Sequence, residues 1–361
     1  MATRLKHALV AASGLVAACA IAACGVSSSS SAPSSSTGSS SAGASAKAST
    51  TSALKVGWTT IYLTPSWMQE TLKLMQTEAS QLQSAGKITS LQVFNANGDT
   101  SAQIAQIQAM IQQKYNVIIV DAGSSTALNP AIEQAVSAGI TVVNFDSLVT
   151  GTDAIKVGTD QQAWGAMMAQ WLVQQLNGKG SIIAMNGPAG VAVSDDRWNG
   201  AESVFKKYPG IKIVANLHSE YNLAPAAQAF AAAYSANPSI NGVFSQGGAL
   251  SDGALQTLVK QKAKLVPITG ENYNGFLKLW ASERKAGFSS LATAQPNYLS
   301  VIALEAGVAK AEGKTVPSNI VVPLPRIDDA NLSQYVQANQ SDDYYPIQPI
   351  SQAAVDQLIG Q

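Results

Sequence analysis

The feature that most constrains the fold of this 361-residue chain is an alternation of short β-branched runs with longer amphipathic stretches, starting at Leu54. The run 117–120 is apolar throughout, as expected of a strand covered on both faces. The alternation therefore predicts an α/β fold with parallel sheets between helices. A turn and a helical pattern follow each of the first candidate strands, which are 54–59, 90–95, 116–121 and 141–146.

A second series of strand and helix patterns follows the first. Its candidate strands are 155–158, 181–186, 211–217, 242–246 and 264–270. The helical patterns between them are 161–176, 195–208, 225–234 and 250–261. Two series of about four strand–helix units predict two similar lobes.

The N-terminal segment has the composition of a secretory signal. Arg4, Lys6 and His7 form a basic start, and residues 8–23 carry no charge. That stretch of about 16 residues is shorter than the roughly 20 residues needed to span a bilayer comfortably. A basic start, a short apolar stretch and small residues at its end predict a signal peptide.

Both cysteines of the chain, Cys19 and Cys24, lie in this segment. The sequence Ile-Ala-Ala-Cys-Gly at 21–25 resembles the lipobox of bacterial lipoproteins, which implies a signal peptide over 1–23 and a lipid on Cys24. Residues 16–19 also fit the pattern, but a glycine and a polar stretch follow Cys24 directly. An ordinary secretory signal, in which Cys24 is incidental, is the alternative. The lipobox implies a protein held at the outer face of the bacterial cell membrane.

Residues 24–52 form a tether that consists almost entirely of Ser, Ala, Gly and Thr. Such a segment cannot bury enough apolar surface to offset its ordering entropy, so it is expected to be disordered. Removal of the signal takes away Arg4 and Lys6 and leaves 20 basic against 22 acidic residues. This balance gives no support for nucleic-acid binding. Without further cysteines the mature chain cannot form internal disulfides.

Polar and aromatic side chains stand at the ends of the predicted strands, where open parallel sheets bind their ligands. Carboxylates and amides pair with the hydroxyls of a sugar or polyol, and Trp or Tyr rings stack on sugar C–H faces. Any single aromatic residue here has about even odds of packing into a core instead. The candidates are Tyr62, Trp67, Asp146, Asp195, Arg197, Trp198, Gln246, Asn272 and Gln295.

Several motifs occur in a fixed order along the chain. Asn-Val-Ile-Ile-Val at 116–120 is followed by Val-Val-Asn-Phe-Asp at 142–146, and Gly-Val-Phe-Ser-Gln at 242–246 precedes a predicted helix. Arg197 belongs to an Arg-x-x-Gly sequence at a helix start. In this order and spacing the motifs resemble the ribose-binding-protein-like family of ABC-transporter solute-binding proteins, over about residues 54–325.

The resemblance implies the type I periplasmic binding protein fold, in which two Rossmann-like lobes with parallel sheets are joined by three hinge crossings. The expected first lobe is 53–157 plus 295–322, and the second is 158–294 plus 323–361. The crossings are expected near 157–158, 294–296 and 322–325. A sugar is expected in the cleft between the lobes, which close around it by hinge motion.

The resemblance also implies roles for individual residues. Thr64 and Trp67 fall where the family has a polar residue and a stacking aromatic residue, and Asp146 falls on a carboxylate that binds two sugar hydroxyls. Asn272 falls on a polar residue of the second lobe, and Gln295 falls on or next to a hinge glutamine.

Three positions depart from the family pattern. Ser147 and Asp195 stand where arginines are common, and Gly247-Gly248 replaces Asn-Asp. These changes remove hydrogen-bonding groups and leave room for a larger ligand or for one with a positive group.

Nothing in the sequence favours an enzyme. His7 is lost with the signal, and His218 has neither a cysteine nor a glycine-flanked serine to act with it. Asp195 and Asp196 are neighbours that point in different directions on a helix, so capping explains them better than a metal. No cofactor and no metal are expected. A sugar-responsive repressor would need a helix-turn-helix segment before Leu54, where the signal and tether stand.

These features predict an extracytoplasmic solute-binding lipoprotein that captures a sugar or polyol and delivers it to the transmembrane subunits of an ABC permease. The protein is expected to be a monomer that does no chemistry on its ligand. A receptor that presents its ligand to a sensor kinase or a chemotaxis system would have the same fold and remains the alternative.

Overall fold

Strands and helices alternate through residues 53–346 and 349–361, which are the residues that the computed structural model of the protein describes. The predicted signal (1–23), the tether (24–52), Cys19 and Cys24 lie outside them. The strands are β1 (Leu54–Thr60), β2 (Ile88–Asn95), β3 (Val117–Asp121), β4 (Thr141–Phe145), β5 (Ile155–Gly158), β6 (Lys179–Asn186), β7 (Gly210–His218), β8 (Gly242–Ser245), β9 (Ile268–Glu271), β10 (Ser290–Thr293) and β11 (Asn319–Val321).

Aspartate side chains cap two of the helices between these strands. Asp99 accepts from the N–H groups of Ser101 and Ala102, and Asp160 accepts from that of Ala163, which satisfies amides that have no partner inside a helix. No helix within the described residues is long and apolar enough to cross a bilayer. The helices are α1 (Ser66–Ser84), α2 (Thr100–Gln112), α3 (Asn129–Ser137), α4 (Gln161–Gln175), α5 (Ala192–Phe205), α6 (Leu223–Ala236), α7 (Gly248–Lys260), α8 (Asn274–Glu283), α9 (Leu299–Ala311) and α10 (Gln352–Ile359).

The strands form two parallel sheets. The first has the order β11-β5-β4-β3-β1-β2, and the second has the order β10-β9-β8-β6-β7. Each sheet is covered on both faces. In β3, Val117 and Ile119 pack toward α1 and α9, while Ile118 and Val120 pack toward α2 and α3. The predicted fold class, an α/β protein with two parallel-sheet lobes, is confirmed.

The chain passes between the lobes in three places. It leaves the first sheet after β5, returns to the first lobe between β10 and α9, and crosses again after β11, where Ile327 bridges Ala292 of the second sheet. Strand β5 therefore belongs to the first sheet, although the sequence pattern placed it at the start of the second series. The short strands β10 and β11 were not among the predicted ones.

The C-terminal segment divides between the lobes, which differs from the expectation that 323–361 belongs to the second. Leu332 and Tyr345 are buried in the core of the second lobe. Val355 and Ile359 of α10 are buried in the core of the first lobe, against α9. The apolar face of α10 decides this placement, because it needs a complementary surface to cover it.

Candidate ligand-binding site

A cavity lies between the lobes, at the carboxyl ends of β1, β3 and β4 in the first lobe and beside α5 and β9 in the second. The space not filled by protein atoms is about 620 Å³, counting the part that opens to solvent. Its lining residues are Ile61, Tyr62, Pro65, Trp67, Met68, Asp121, Asp146, Ser147, Val191, Val193, Arg197, Tyr221, Glu271, Gln295 and Tyr345.

Two buried amides hold the first-lobe loops that reach this cavity. Gln103 of α2 donates to the carbonyl of Asp121 (2.6 Å) and accepts from the N–H of Gly123 (2.9 Å). Asn144 of β4 donates to the carbonyl of Ser147 (2.9 Å). These bonds satisfy backbone groups that burial would otherwise leave without partners. They thereby fix the positions of Asp121 and Ser147.

Asp146 follows β4 directly and has a φ of +58°, in the left-handed region. Aspartate is one of the few residues other than glycine that tolerate this conformation, and such backbone strain clusters at functional sites. The side-chain amide of Gln295 donates to its carboxylate over 2.5 Å. The turn and this bond together hold the carboxylate at the edge of the cavity.

Gln295 lies on the crossing between β10 and α9 and connects both lobes. Its side-chain oxygen accepts from the hydroxyl of Thr159 (2.7 Å) and from the amide of Gln161 (3.1 Å). Its backbone carbonyl accepts from the indole N–H of Trp67 (2.8 Å). A hinge residue thus positions Trp67 and Asp146 of the first lobe.

Arg197 of α5 is only 2% exposed, and all three of its nitrogens face protein groups. Nε donates to Gln161 Oε1 (2.8 Å), Nη1 donates to the Gln246 carbonyl (2.7 Å), and Nη2 lies 3.6 Å from Glu271 Oε1. The guanidinium also lies 4.4 Å from the ring centre of Trp164, in reach of a cation–π interaction. The buried positive charge is therefore matched by Glu271.

Tyr221 follows β7 and enters the cavity across two glycines. A Cβ atom at Gly187 would stand 2.3 Å from the Tyr221 hydroxyl oxygen, and one at Gly247 would stand 2.7 Å from its ring. The Tyr221 hydroxyl donates to Gln246 Oε1 over 3.2 Å. The glycine at 247, which departs from the family pattern, thus makes room for an aromatic ring.

Asp121 has a strongly perturbed carboxyl group. Burial, followed by the nearby charge of Asp146, raises its pKa to about 8. The hydrogen bonds from the Thr60 hydroxyl (2.8 Å) and the Ser147 N–H oppose this shift. Asp121 therefore holds a proton through much of the neutral pH range.

Burial also raises the pKa of the two other carboxyl groups in the lining. The pKa of Asp146 rises to about 6, against the opposing effects of the Gln295 amide and of Arg197. The pKa of Glu271 is raised by burial and lowered chiefly by Arg197. Of the three acids, only Glu271 has a cation directly beside it.

Apolar groups form the rest of the lining. Trp67 packs against the core clusters of both lobes. Tyr62 of the first lobe is half-buried and lines the cavity. Val191 and Val193 face them from the second lobe. Such surfaces suit the C–H faces of a small polyhydroxylated molecule.

The structure brings together five of the ten residues that the sequence selected. Tyr62, Trp67, Asp146, Arg197 and Gln295 all line the cavity. They come from both lobes and from one crossing. This agrees with the tendency of open parallel sheets to bind ligands beyond the carboxyl ends of their strands.

The other five do not line it. Thr64 is exposed beside the cavity mouth. Asp195 accepts from the N–H of Gly190 (3.1 Å) and so holds the loop before its helix. Trp198 packs on Phe205 and Phe244, with ring centres 6.4 and 6.0 Å away, and is therefore part of a core.

Gln246 and Asn272 are fully buried behind the lining. The amide of Gln246 donates to Asn186 Oδ1 (2.7 Å), and that of Asn272 donates to the carbonyl of Pro346 (2.6 Å). The amide of Gln246 both donates to and accepts from protein groups, whereas the side-chain oxygen of Asn272 has no partner among the described residues. Neither residue lines the cavity.

Several lining residues were not among those predicted from the sequence. Asp121 and Glu271 stand at strand ends, so their position was a usable signal. Tyr221 was signalled only indirectly, by the glycines that its ring requires. Tyr345 lies 74 positions after Glu271 and 124 or more after the other second-lobe lining residues, and only the folded C-terminal segment brings it to the cavity. Among the described residues, no cluster of His, Cys, Asp and Glu could hold a metal ion.

Comparison with known proteins identifies the family. A family model described as a periplasmic binding protein domain matches residues 56–315. The chain belongs to this family, and the resemblance to ribose-binding-protein-like members is confirmed. Membership implies a location outside the cytoplasm.

Individual relatives are distant in sequence. The chain is 29% identical over 249 residues to a xylitol-binding protein of Mycolicibacterium smegmatis, covering 67% of this chain and 70% of the relative. It is 24% identical over 234 residues to a ribose import binding protein of Bacillus subtilis, covering 64% and 75%. The structure of an ABC transporter solute-binding protein from Thermobispora bispora superposes with a TM-score of 0.78 at 24% identity, covering 85% of this chain and 95% of that one.

Proposed function

We propose that this protein captures a sugar or polyol in the cleft between its lobes and delivers it, as a monomer, to an ABC permease. The observation that carries the proposal is the convergence of carboxylates, an amide and aromatic rings from both lobes on one cavity. These groups match a molecule with many hydroxyls and a C–H face. The relatives named for xylitol and ribose support the same ligand class.

Binding is coupled to closure of the lobes. Asp146 and Trp67 contact the ligand from the first lobe, and the second-lobe lining around Glu271 and Tyr221 contacts it from the other side. Only a closed arrangement makes both sets of contacts, so the ligand stabilises that arrangement. The closed form is the one that docks on the permease, and the ligand is released unchanged.

A thermal-shift screen tests the ligand class. The panel contains neutral sugars and polyols, among them xylitol and ribose, together with amino derivatives of sugars and polyols. A ligand that binds only the folded state raises the melting temperature. The absence of any shift across the panel would contradict the proposal.

Calorimetry with the best ligand then tests the site. Asp146→Ala should lower affinity by about tenfold or more, because a hydrogen bond to a charged group contributes about 1.5–3 kcal/mol. Glu305→Gln is the matched control, since Glu305 is a buried acid of the first lobe that lies outside the lining. An unchanged affinity of the Asp146 variant would place the ligand elsewhere.

Uptake measurements separate transport from signalling. Deletion of the gene should abolish uptake of the labelled ligand, and the wild-type gene should restore it. Normal uptake combined with loss of a ligand-induced transcriptional response would instead indicate a receptor for a sensor kinase.

Membrane attachment is proposed through a lipid on Cys24. Cys24→Ser should release the protein into the medium, and metabolic labelling with a fatty acid should show no lipid on it. A variant that stays membrane-bound and unprocessed would mean that cleavage occurs elsewhere or not at all. Cys19→Ser is the control and should remain labelled. Labelling that persists in the Cys24 variant would assign the lipid to another residue.

A further inference from the structure

The cavity contains more acidic than basic groups. Its lining includes the carboxyl groups of Asp121, Asp146 and Glu271, and Arg197 is the only cation in the same lining. Asp121, Arg197 and Glu271 are buried and Asp146 is half-buried, so water screens their charges weakly. The formal balance is thus negative at a place where an uncompensated charge is costly.

Arg197, the single cation of the lining, pairs with groups of the protein. Arg197 makes its ion pair with Glu271 and gives its other donors to Gln161 and Gln246. It acts on Asp146 only through space, and Glu271 opposes that effect. The second lobe therefore leaves Asp121 and Asp146 without a cation beside them, and the proton that Asp121 holds limits the charge of the pair in the absence of ligand.

The direct partners of those two carboxyl groups are neutral. Asp121 accepts from the Thr60 hydroxyl and the Ser147 N–H, and Asp146 accepts from the Gln295 amide. Neutral donors stabilise a carboxylate but add no compensating charge.

Ser147 supplies an independent observation. Its side chain is 2% exposed and lines the cavity, and its hydroxyl oxygen has no hydrogen-bond partner among the described residues. Buried hydroxyls are nearly always hydrogen-bonded. A group of the ligand is the partner that this position can receive.

We propose that the ligand carries one protonated amine besides its hydroxyls, as an amino sugar or amino polyol does, and that Asp121, Asp146 and Ser147 Oγ bind the ammonium group. An ammonium has three donors and no acceptor, which matches two carboxylates and one hydroxyl oxygen. The inference rests on the proposed function and narrows its ligand class.

Proton release accompanies this mode of binding. In the absence of ligand, burial and the Asp146 charge keep a proton on Asp121 up to about pH 8. The ammonium replaces that proton, so both carboxyl groups become ionised and the proton passes to solvent. Affinity should therefore rise with pH from about 6 to 8. The other titratable or charged groups that face the pair are Tyr62, Arg197, Tyr221 and Glu271.

Matched ligand pairs test the proposal on the wild-type protein. Calorimetry at pH 7 compares glucosamine with glucose, galactosamine with galactose, and 1-amino-1-deoxysorbitol with sorbitol. At least one amine should bind about tenfold or more tightly than its hydroxyl partner, since a charged donor strengthens a hydrogen bond to a carboxylate. Repeating that titration in phosphate and in HEPES, two buffers with different ionisation enthalpies, should show release of up to about one proton per ligand.

The outcomes separate the two proposals. Equal or tighter binding of the neutral partners, or amine binding without proton release, would overturn the amine inference and leave the sugar or polyol function intact. No binding by any member of either class would overturn the proposed function as well.

Asp121→Asn tests the assignment of the amine to this pair. Its affinity for the amine should fall about tenfold or more, and its affinity for the neutral partner should fall by a clearly smaller factor, because Asn keeps the size and can still form a hydrogen bond but cannot become charged. Glu305→Gln should change neither. Equal losses for both ligands in the Asp121 variant would assign the amine to other groups.

Discussion

The two sides of the cleft satisfy their charges in different ways. In the second lobe, Arg197 is enclosed by Glu271, Gln161, Gln246 and Trp164. In the first lobe, the carboxyl groups of Asp121 and Asp146 have only neutral partners, and the hydroxyl of Ser147 has none among the described residues.

This difference indicates that the two sides contribute to ligand binding in different ways. The second-lobe side is built before any ligand arrives, so it provides a rigid surface of fixed shape. The first-lobe side keeps its hydrogen-bonding capacity for the ligand. Preorganisation of one side lowers the entropy lost on binding, and unsatisfied groups on the other side supply the differential interaction that favours closure.

The largest effect should come from breaking the second-lobe network. Arg197→Met leaves the Glu271 charge buried without a cation and should lower the free energy of unfolding by about 3–5 kcal/mol. Denaturant unfolding measures it. The double variant with Glu271→Gln should recover part of the loss. A cost below about 1 kcal/mol would show that the network is not the rigid element of the cleft.

A smaller loss of stability is expected at Gly247, where the ring of Tyr221 packs against the backbone. Gly247→Ala places a methyl group 2.7 Å from the ring, so Tyr221 must move, at a cost of about 1–3 kcal/mol in stability, and ligand affinity should fall. In a Tyr221→Ala background the same substitution should cost much less, which a double-mutant cycle measures. Equal costs in both backgrounds would mean that Tyr221 is not what requires the glycine.

The smallest effect on stability at pH 7 should come from Asp121→Asn, because the native carboxyl group is mostly protonated, and therefore uncharged, at that pH. A group whose pKa is raised by folding loses its stabilising contribution as pH rises, here between about 4 and 8 for Asp121. The raised pKa values of Asp146 (about 6) and of Asp252 and Glu305 (about 7) add losses of the same sign that are centred at lower pH.

Comparison of melting temperatures between pH 7 and 8 therefore tests Asp121. The wild-type protein should lose stability over this interval, and the Asp121→Asn protein should lose clearly less. Glu305→Gln should retain the loss. A wild-type curve that is flat from pH 7 to 8 would remove the evidence for a proton held in the first-lobe side of the cleft.

Much of the architecture could be predicted from the sequence, because local periodicity reports burial directly. The apolar run 117–120 indicated a strand covered on both faces, and both faces are covered. Short elements were harder to predict, as β10 and β11 contain only 4 and 3 residues and depend on pairing with distant strands.

Position relative to strand ends led to ten predicted site residues, and five of them line the cavity. Trp67 and Asp146 were found in this way, since the carboxyl ends of parallel strands share one edge. The same rule selected Trp198 and Gln246, which pack away from the cavity. Strand ends define an edge of the sheet, whereas the direction of each side chain depends on its neighbours in space.

By itself, the sequence determined the class of fold, the family and the general place of the cleft, because these follow from patterns within a few tens of residues. Only the tertiary structure decided which charges are matched. The partners of Arg197 lie 36 to 74 positions away, and Asp146 meets Gln295 across 149 positions. Electrostatic energy depends on distance in space, so the contrast between the two sides of the cleft emerges only when the chain is folded.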